Sequence, residues 1–219
     1  MTDGFVKLWP TTLLQRELPG ANAANQALQE LLLGLEQGHS SGAVASSGQA
    51  TNLTTDYLQQ DLLAVEHPAL QWLVACINKT VADYLRDTGV DADASWQLQA
   101  WANINRLGDY HNLHNHPHSY LSGTYYVQVP ADSERRAGSR TDLDSGAISF
   151  YDPRSQANMT AIKGDGQIDP EYRVLPKPGD ILLWPSFLHH FVHPNLSAEL
   201  RISISFNIMI KMTEELLPG

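Results

Sequence analysis

The sequence predicts a mainly β fold, an antiparallel barrel or double-sheet jelly roll backed by two helices at its N-terminal end. Two observations indicate this class. Apolar residues recur at helical spacing in two segments before residue 95, and from residue 96 onwards they alternate with polar residues in short runs. Because no helical segment separates those runs, neighbouring strands are expected to pair in an antiparallel way.

Size and charge narrow the class of protein. A chain of 219 residues with 42% hydrophobic residues fits one domain, with a helical front over 1–95 and a jelly-roll core over about 96–210. The net charge of -10 disfavours a nucleic-acid partner, since phosphate binding needs clustered basic side chains. No apolar run approaches the ~20 residues of a membrane span, and the N-terminus lacks the layout of a signal peptide. We therefore expect a cytoplasmic protein without a membrane partner.

The two helices are predicted from their apolar spacing. Over 21–37 leucines recur on one face, and Gly38 is expected to end the helix. Residues 39–54 are rich in small and polar side chains and are predicted to form a loop, either a lid or an inert linker. Over 68–87 a second apolar stripe predicts an amphipathic helix that packs against a sheet.

The strands are predicted from alternation. Residues 96–105, "WQLQAWANIN", alternate between an apolar face and a largely polar one. Further runs of this kind follow, separated by turn residues, at 121–129, 146–152, 172–176, 180–185 and 201–210.

Seven of the nine histidines fall in two clusters, "HNLHNHPHSY" at 111–120 and "FLHHFVHPN" at 187–195. His114 and His116 are two residues apart, so their side chains fall on the same face, and His190 stands where a buried strand ends. Neutral imidazole is a common ligand of transition metals, and a close pair with one distant ligand leaves coordination positions open for chemistry. His111 and His118 are weaker candidates, predicted in the turn and at the start of the next strand. The alternative is a set of loop histidines with ordinary hydrogen bonds.

The last predicted strand, "RISISFNIMI", offers a second clue. Its alternation puts Arg201 and Ser203 on the face opposite the isoleucines. In a barrel interior such a guanidinium needs an anion, and its planar fork suits a carboxylate. The alternative is an arginine on an edge strand, in contact with solvent.

Three blocks together resemble a known family. The segments "GDYHNLHNHPHSYLSGTYYV", "PGDILLWPSFLHHFVHPN" and "RISISFN" are similar to those of the 2-oxoglutarate- and Fe(II)-dependent oxygenases of the prolyl-4-hydroxylase-like group, over about residues 101–208. The resemblance implies a double-stranded β-helix, a jelly roll with iron at its mouth. It also implies Fe(II) and 2-oxoglutarate as cofactors and O2 as co-substrate.

The resemblance also implies roles for single residues. His114 matches the first metal ligand and His190 the distal histidine ligand. Arg201 matches the residue that pairs with the far carboxylate of 2-oxoglutarate, and Ser203 and Tyr126 are similar to the hydroxyl groups that assist it.

His116 departs from the family pattern, because it stands where these enzymes have an aspartate. Three histidines leave the ion its full +2 charge, and they also resemble a catalytic zinc site. Asp109 or Asp152 could supply a carboxylate instead, although neither has the expected spacing.

The resulting hypothesis is a dioxygenase that hydroxylates an unknown small molecule or peptide while 2-oxoglutarate is decarboxylated to succinate. His114, His116, His190 and Arg201 would be its catalytic residues. The alternatives are a three-histidine zinc hydrolase and a non-catalytic jelly-roll binding module. A homo-oligomer is compatible with this sequence, and Trp101, Tyr120 and Trp184 are expected near the mouth of the site.

Overall fold

A computed structural model describes residue 4 and residues 9–40, 62–90, 94–131, 143–154 and 169–211. Its helices are Ala21–Ser40 (α1) and Pro68–Asp87 (α2), with a short 3-10 helix at Leu62–Ala64. The described residues form nine strands: Leu14–Glu17 (β1), Ser95–Asn105 (β2), His111–His114 (β3), Leu121–Gln128 (β4), Ile148–Tyr151 (β5), Glu171–Val174 (β6), Asp180–Pro185 (β7), His190–Val192 (β8) and Arg201–Lys211 (β9). In the described part of the chain, the helices are all too short or too polar to cross a membrane.

The strands form two antiparallel sheets. The larger sheet has the order β1-β7-β4-β9-β2, and the smaller one has the order β3-β8-β5-β6. Strands distant in sequence thus become neighbours, as β9 does between β4 and β2. The mainly β jelly roll backed by two helices is confirmed.

The main core lies between the helices and the larger sheet. Leucines of α1 and apolar residues of α2 pack on the apolar face of β2 and β9, which includes Ala102, Ile104, Ile202 and Ile204. Because strand side chains alternate, the opposite face of the same two strands is turned toward the smaller sheet. The helices thereby leave the polar face of the larger sheet available for the site.

Local sequence signals explain the bounds of α2. His67 precedes the helix and its Nδ1 accepts a hydrogen bond from the backbone N–H of Ala69, while Pro68 occupies the first turn, where no partner for an N–H is needed. Gly89 follows the C-terminus with a φ of 83°, a conformation that favours glycine. The predicted bounds of this helix agree with the structure.

A second apolar cluster fills the space between the two sheets. Its largest members are Trp184 and Tyr126 from the larger sheet and Phe150 from the smaller one. The rings of Trp184 and Phe150 lie 5.0 Å and 6.1 Å from the ring of His190, the first residue of β8. The second cluster therefore fixes the position of one candidate metal ligand.

Several elements differ from the predictions. Each predicted run coincides with a strand, but β1, β3 and β8 were not predicted, because their sequences, LQRE, HNLH and HFV, do not alternate between apolar and polar residues. The helix α1 continues to Ser40, two residues past the expected stop at Gly38. The loop predicted over 39–54 lies outside the described residues, apart from its first two, which belong to α1.

Candidate active site

Three histidines from two parts of the sequence converge at the mouth of the jelly roll. His114 ends β3 and pairs in register with His190, the first residue of β8, and their ring centroids lie 4.2 Å apart. His116 follows β3, and its ring centroid lies 5.1 Å from that of His114 and 5.2 Å from that of His190. One ring nitrogen of each histidine lies within 4.8 Å of the other two. Such a set can hold one metal ion.

Hydrogen bonds to backbone carbonyls orient two of these rings. Nδ1 of His114 lies 2.6 Å from the carbonyl oxygen of Asn112, and Nδ1 of His190 lies 3.1 Å from that of Leu188. A carbonyl only accepts, so Nδ1–H is the donor in both rings and the lone pair is on Nε2. This is the outer-shell arrangement that fixes the tautomer of metal-binding histidines.

The three rings are held in the neutral form that binds metals. Burial lowers the pKa of His190 to about 2, with a further contribution from the nearby His114. Burial also lowers the pKa of His116 to about 4, and it lowers the pKa of His114 from its usual value. All three histidines are therefore neutral near pH 7.

The two aspartates considered as alternative ligands have other partners. Oδ2 of Asp109 accepts a hydrogen bond from the backbone N–H of Arg106, and Asp152 pairs with the guanidinium of Arg154. Among the described residues, the cluster able to hold a metal consists of His114, His116 and His190 alone.

A cavity of about 310 Å³ extends from the histidines into the jelly roll. Its walls include residues from the polar faces predicted for β2 and β9. The lining residues include Trp101, Asn103, Thr124, Tyr126, Trp184, Arg201 and Ser203. The volume falls within the range of small-molecule sites. The candidate metal ligands and Arg201 therefore face one shared space.

Arg201 is only 2% exposed, so it is not the solvent-facing arginine of the alternative interpretation. Its Nη1 donates to Oδ1 of Asn105 at 3.0 Å and to Oγ of Ser203 at 3.2 Å, and its Nε donates to the carbonyl of Gly146 at 3.2 Å. Its Cζ lies 5.1 Å from the ring centroid of Tyr126, a cation–π contact. Ser203 and Tyr126 thus contact Arg201, the tyrosine through its ring.

The sequence analysis placed His111 in a turn, and this prediction is wrong. It begins β3, and its ring lines the cavity. Burial lowers its pKa to about 3, and the positive charge of Arg201 contributes to the shift. No periodic pattern indicated this position, because the pairing of β3 with β8 shifts register between His111 and His114. The alternation in β2 predicts that Asn103 faces inward, but it does not predict which residues Asn103 contacts.

The other histidines of the clusters lie outside the candidate site. His118 is exposed in a turn with a φ of 73°, not in the next strand, and His189 is also exposed. His193 is buried but does not line the cavity.

The aromatic residues expected at the mouth have different positions. The ring of Trp101 lies 5.8 Å from that of His116 and lines the cavity. Trp184 is buried inside, with its ring 5.0 Å from that of His190, and Tyr120 is 49% exposed outside the cavity wall. Of the three, Trp101 and Trp184 line the cavity and Tyr120 does not.

The sequence of the chain matches a known protein family. Residues 99–207 match the model of a family described as "Putative 2OG-Fe(II) oxygenase". The chain belongs to this family. Fe(II) and 2-oxoglutarate are the cofactors of the family, and the enzyme is an oxidoreductase. No curated protein sequence matches this oxygenase.

Solved structures show the same fold at low sequence identity. A prolyl-4-hydroxylase from Pseudomonas putida is 13% identical, with a TM-score of 0.59 over 91% of this chain and 93% of that one. HygX from Streptomyces hygroscopicus, solved with nickel and 2-oxoglutarate bound, is 14% identical, with a TM-score of 0.58 over 95% of this oxygenase and 90% of HygX. A prolyl hydroxylase from Trichoplax adhaerens, solved with a peptide fragment, is 14% identical, with a TM-score of 0.56 over 90% and 83% of the two chains.

Proposed function

We propose that this chain is a dioxygenase that hydroxylates a small molecule or a peptide, with Fe(II) bound by His114, His116 and His190. In this proposal Arg201, with Ser203 and Tyr126, holds 2-oxoglutarate. The observation that carries it is the cavity itself, because three neutral histidines and a buried guanidinium line the same enclosed space.

The donor set fits a divalent transition metal. Three imidazole nitrogens would occupy part of the coordination sphere and leave the other positions for 2-oxoglutarate and O2. Because two of the three rings are already oriented by carbonyl hydrogen bonds, little reorganisation accompanies metal binding. Three neutral ligands also leave the ion a charge of +2, which strengthens its attraction for the anionic oxo acid.

The guanidinium fits the far end of 2-oxoglutarate. Gly146, Asn105 and Ser203 bind Nε and Nη1 of Arg201, and they hold the fork in one orientation. A carboxylate is the anion that matches the planar fork of arginine. Since Arg201 is buried, an ion pair at this point is shielded from water and is stronger than one at the surface.

Fe(II) and 2-oxoglutarate, once bound, would supply the oxidative chemistry: one atom of O2 would enter succinate as 2-oxoglutarate loses CO2, and the other would hydroxylate a C–H bond of the substrate. The chain's own residues bind, orient and exclude water. Trp184, Ile148 and Val192 provide apolar walls beside the histidines. A protein acid or base is not required, because the bound cofactors would carry the chemistry.

The relatives indicate the class of substrate. A peptide is bound in the Trichoplax adhaerens prolyl hydroxylase, and we infer that a peptide or a small molecule enters past Trp101 in this chain.

Succinate formation tests the proposed function directly. Protein purified without oxygen and loaded with Fe(II) is given 2-oxoglutarate, O2 and a panel of peptides and small metabolites, and succinate is measured. We expect succinate in the iron-loaded protein and none in a His190→Ala variant. A zinc hydrolase would instead bind zinc in preference and form no succinate under any of these conditions, and that result would reject the proposal.

A further inference from the structure

His193, the last histidine of the second sequence cluster, is buried in a polar network outside the cavity. It is 2% exposed, and its Nε2 lies 2.7 Å from Oγ of Ser149, which is fully buried. Ser149 in turn donates to Oε1 of Glu171 at 2.5 Å. The proposed function above uses none of these three residues.

The hydrogen bonds of this network have a defined direction. A carboxylate only accepts, so the hydroxyl proton of Ser149 belongs to the bond with Glu171. Oγ of Ser149 must then accept from Nε2–H of His193, and Nδ1 of His193 is left to accept from the backbone N–H of Asp144, at 3.4 Å. Arg173 joins both ends, since it donates to Glu171 at 2.7 Å and to Asp144 at 2.9 Å. The network is thus a closed ring of polar contacts.

The turn that this ring holds, residues 144–147, contacts Arg201. The backbone N–H of His193 donates to the carbonyl of Ala147 at 2.9 Å, and the N–H of Gly146 donates to the carbonyl of Pro194 at 3.1 Å. The carbonyl of Gly146 accepts from Nε of Arg201. Gly146 has a φ of 69°, and a Cβ at this position would lie 3.2 Å from Cδ of Arg201. The turn and the arginine are therefore in close contact.

We propose that His193 is a positioning residue for the oxo-acid site. It fixes the turn at 144–147, and through the carbonyl of Gly146 it sets the direction of the Arg201 guanidinium. Asn105 and Ser203 both bind Nη1, so Gly146 acts at a different nitrogen of the fork. The inference rests on the proposed function, because Arg201 is taken to bind the far carboxylate of 2-oxoglutarate.

Calorimetric titration of anaerobic, iron-loaded protein with 2-oxoglutarate tests this role. We expect His193→Ala and Ser149→Ala each to weaken 2-oxoglutarate binding by about tenfold, the effect of ~1.4 kcal/mol. His193→Gln keeps an N–H donor for Ser149 and should remain close to wild type. His189→Ala, an exposed neighbour, is the matched control. Iron content should be one ion per chain in all four variants.

A second ligand separates positioning from a general structural effect. 2-Oxopentanoate has the same chelating end and chain length as 2-oxoglutarate but lacks the far carboxylate. Its affinity should be equal in wild type and His193→Ala, because it does not use Arg201. An equal loss for both ligands, or unchanged 2-oxoglutarate affinity, would overturn the inference.

Two further comparisons keep the result interpretable. Ser149→Ala removes one hydroxyl only, so its 2-oxoglutarate affinity tests the inference if His193→Ala does not fold. An Arg201→Leu variant with unchanged 2-oxoglutarate affinity would reject the proposed function. If Arg201→Leu weakens binding while Ser149→Ala and His193→Ala do not, only the inference about His193 is rejected.

Discussion

The imidazole rings of His114 and His190 lie 4.2 Å apart on two antiparallel strands, and each ring donates from Nδ1 to a carbonyl oxygen two residues earlier in its own chain segment. Both rings are therefore oriented before any metal binds. The conformational entropy of these two ligands is lost when the chain folds and not when the metal binds, which favours tight metal binding at this pair.

Loss of His190 should abolish metal binding. We expect wild-type protein to hold one Fe(II) per chain and His190→Ala to hold none, because the two remaining histidines leave the ion too few protein ligands. Metal analysis after anaerobic dialysis measures this. His189→Ala, with its exposed ring, should keep the wild-type content. One ion per chain in His190→Ala would show that the ligands lie elsewhere.

The identity of the third ligand is tested by His116→Asp. A carboxylate at this position lowers the charge of the metal site from +2 to +1, so we expect iron to be retained and to dissociate more slowly. His118→Asp, two residues further along and exposed, is the control for added negative charge. Dissociation can be followed with a chelator under anaerobic conditions. Loss of iron from His116→Asp, with His118→Asp unaffected, would contradict the assignment.

A charge placed beside Arg201 should compete with 2-oxoglutarate. Oδ1 of Asn105 accepts from Nη1 of Arg201 at 3.0 Å, so Asn105→Asp creates an ion pair with nearly unchanged volume. We expect 2-oxoglutarate affinity to fall at least about tenfold, with iron content unchanged. Asn22→Asp makes the same change at an exposed position of α1. Equal 2-oxoglutarate affinities in the two variants would contradict a role for Arg201 in binding.

The parts of the fold predicted from sequence are those encoded by local pattern. The bounds of α2 follow from an apolar stripe between Pro68 and Gly89, and β7 follows from a buried run after a turn. By contrast, β3 has four residues and a register shift within its pairing to β8, so it carries almost no periodic signal. Its existence depends on long-range pairing that a local pattern does not encode.

Local pattern also predicted part of the candidate site. Alternation in β9 predicted the inward position of Arg201, and the spacing of His114 and His116 predicted their convergence. The contacts of Arg201 with Asn105 and Gly146 were not predicted, because these two residues come from another strand and from a turn. The position of His111 was predicted wrongly, since its strand was not recognised.

Binding of 2-oxoglutarate to wild type and Arg201→Leu tests the central claim most directly. Calorimetric titration is carried out on anaerobic, iron-loaded protein. Removing one charge of a buried ion pair typically costs about 3–5 kcal/mol, so we expect affinity to fall at least about a hundredfold while iron content is unchanged. Equal affinities in the two proteins, or no binding to wild type, would contradict the assignment of this cavity to 2-oxoglutarate.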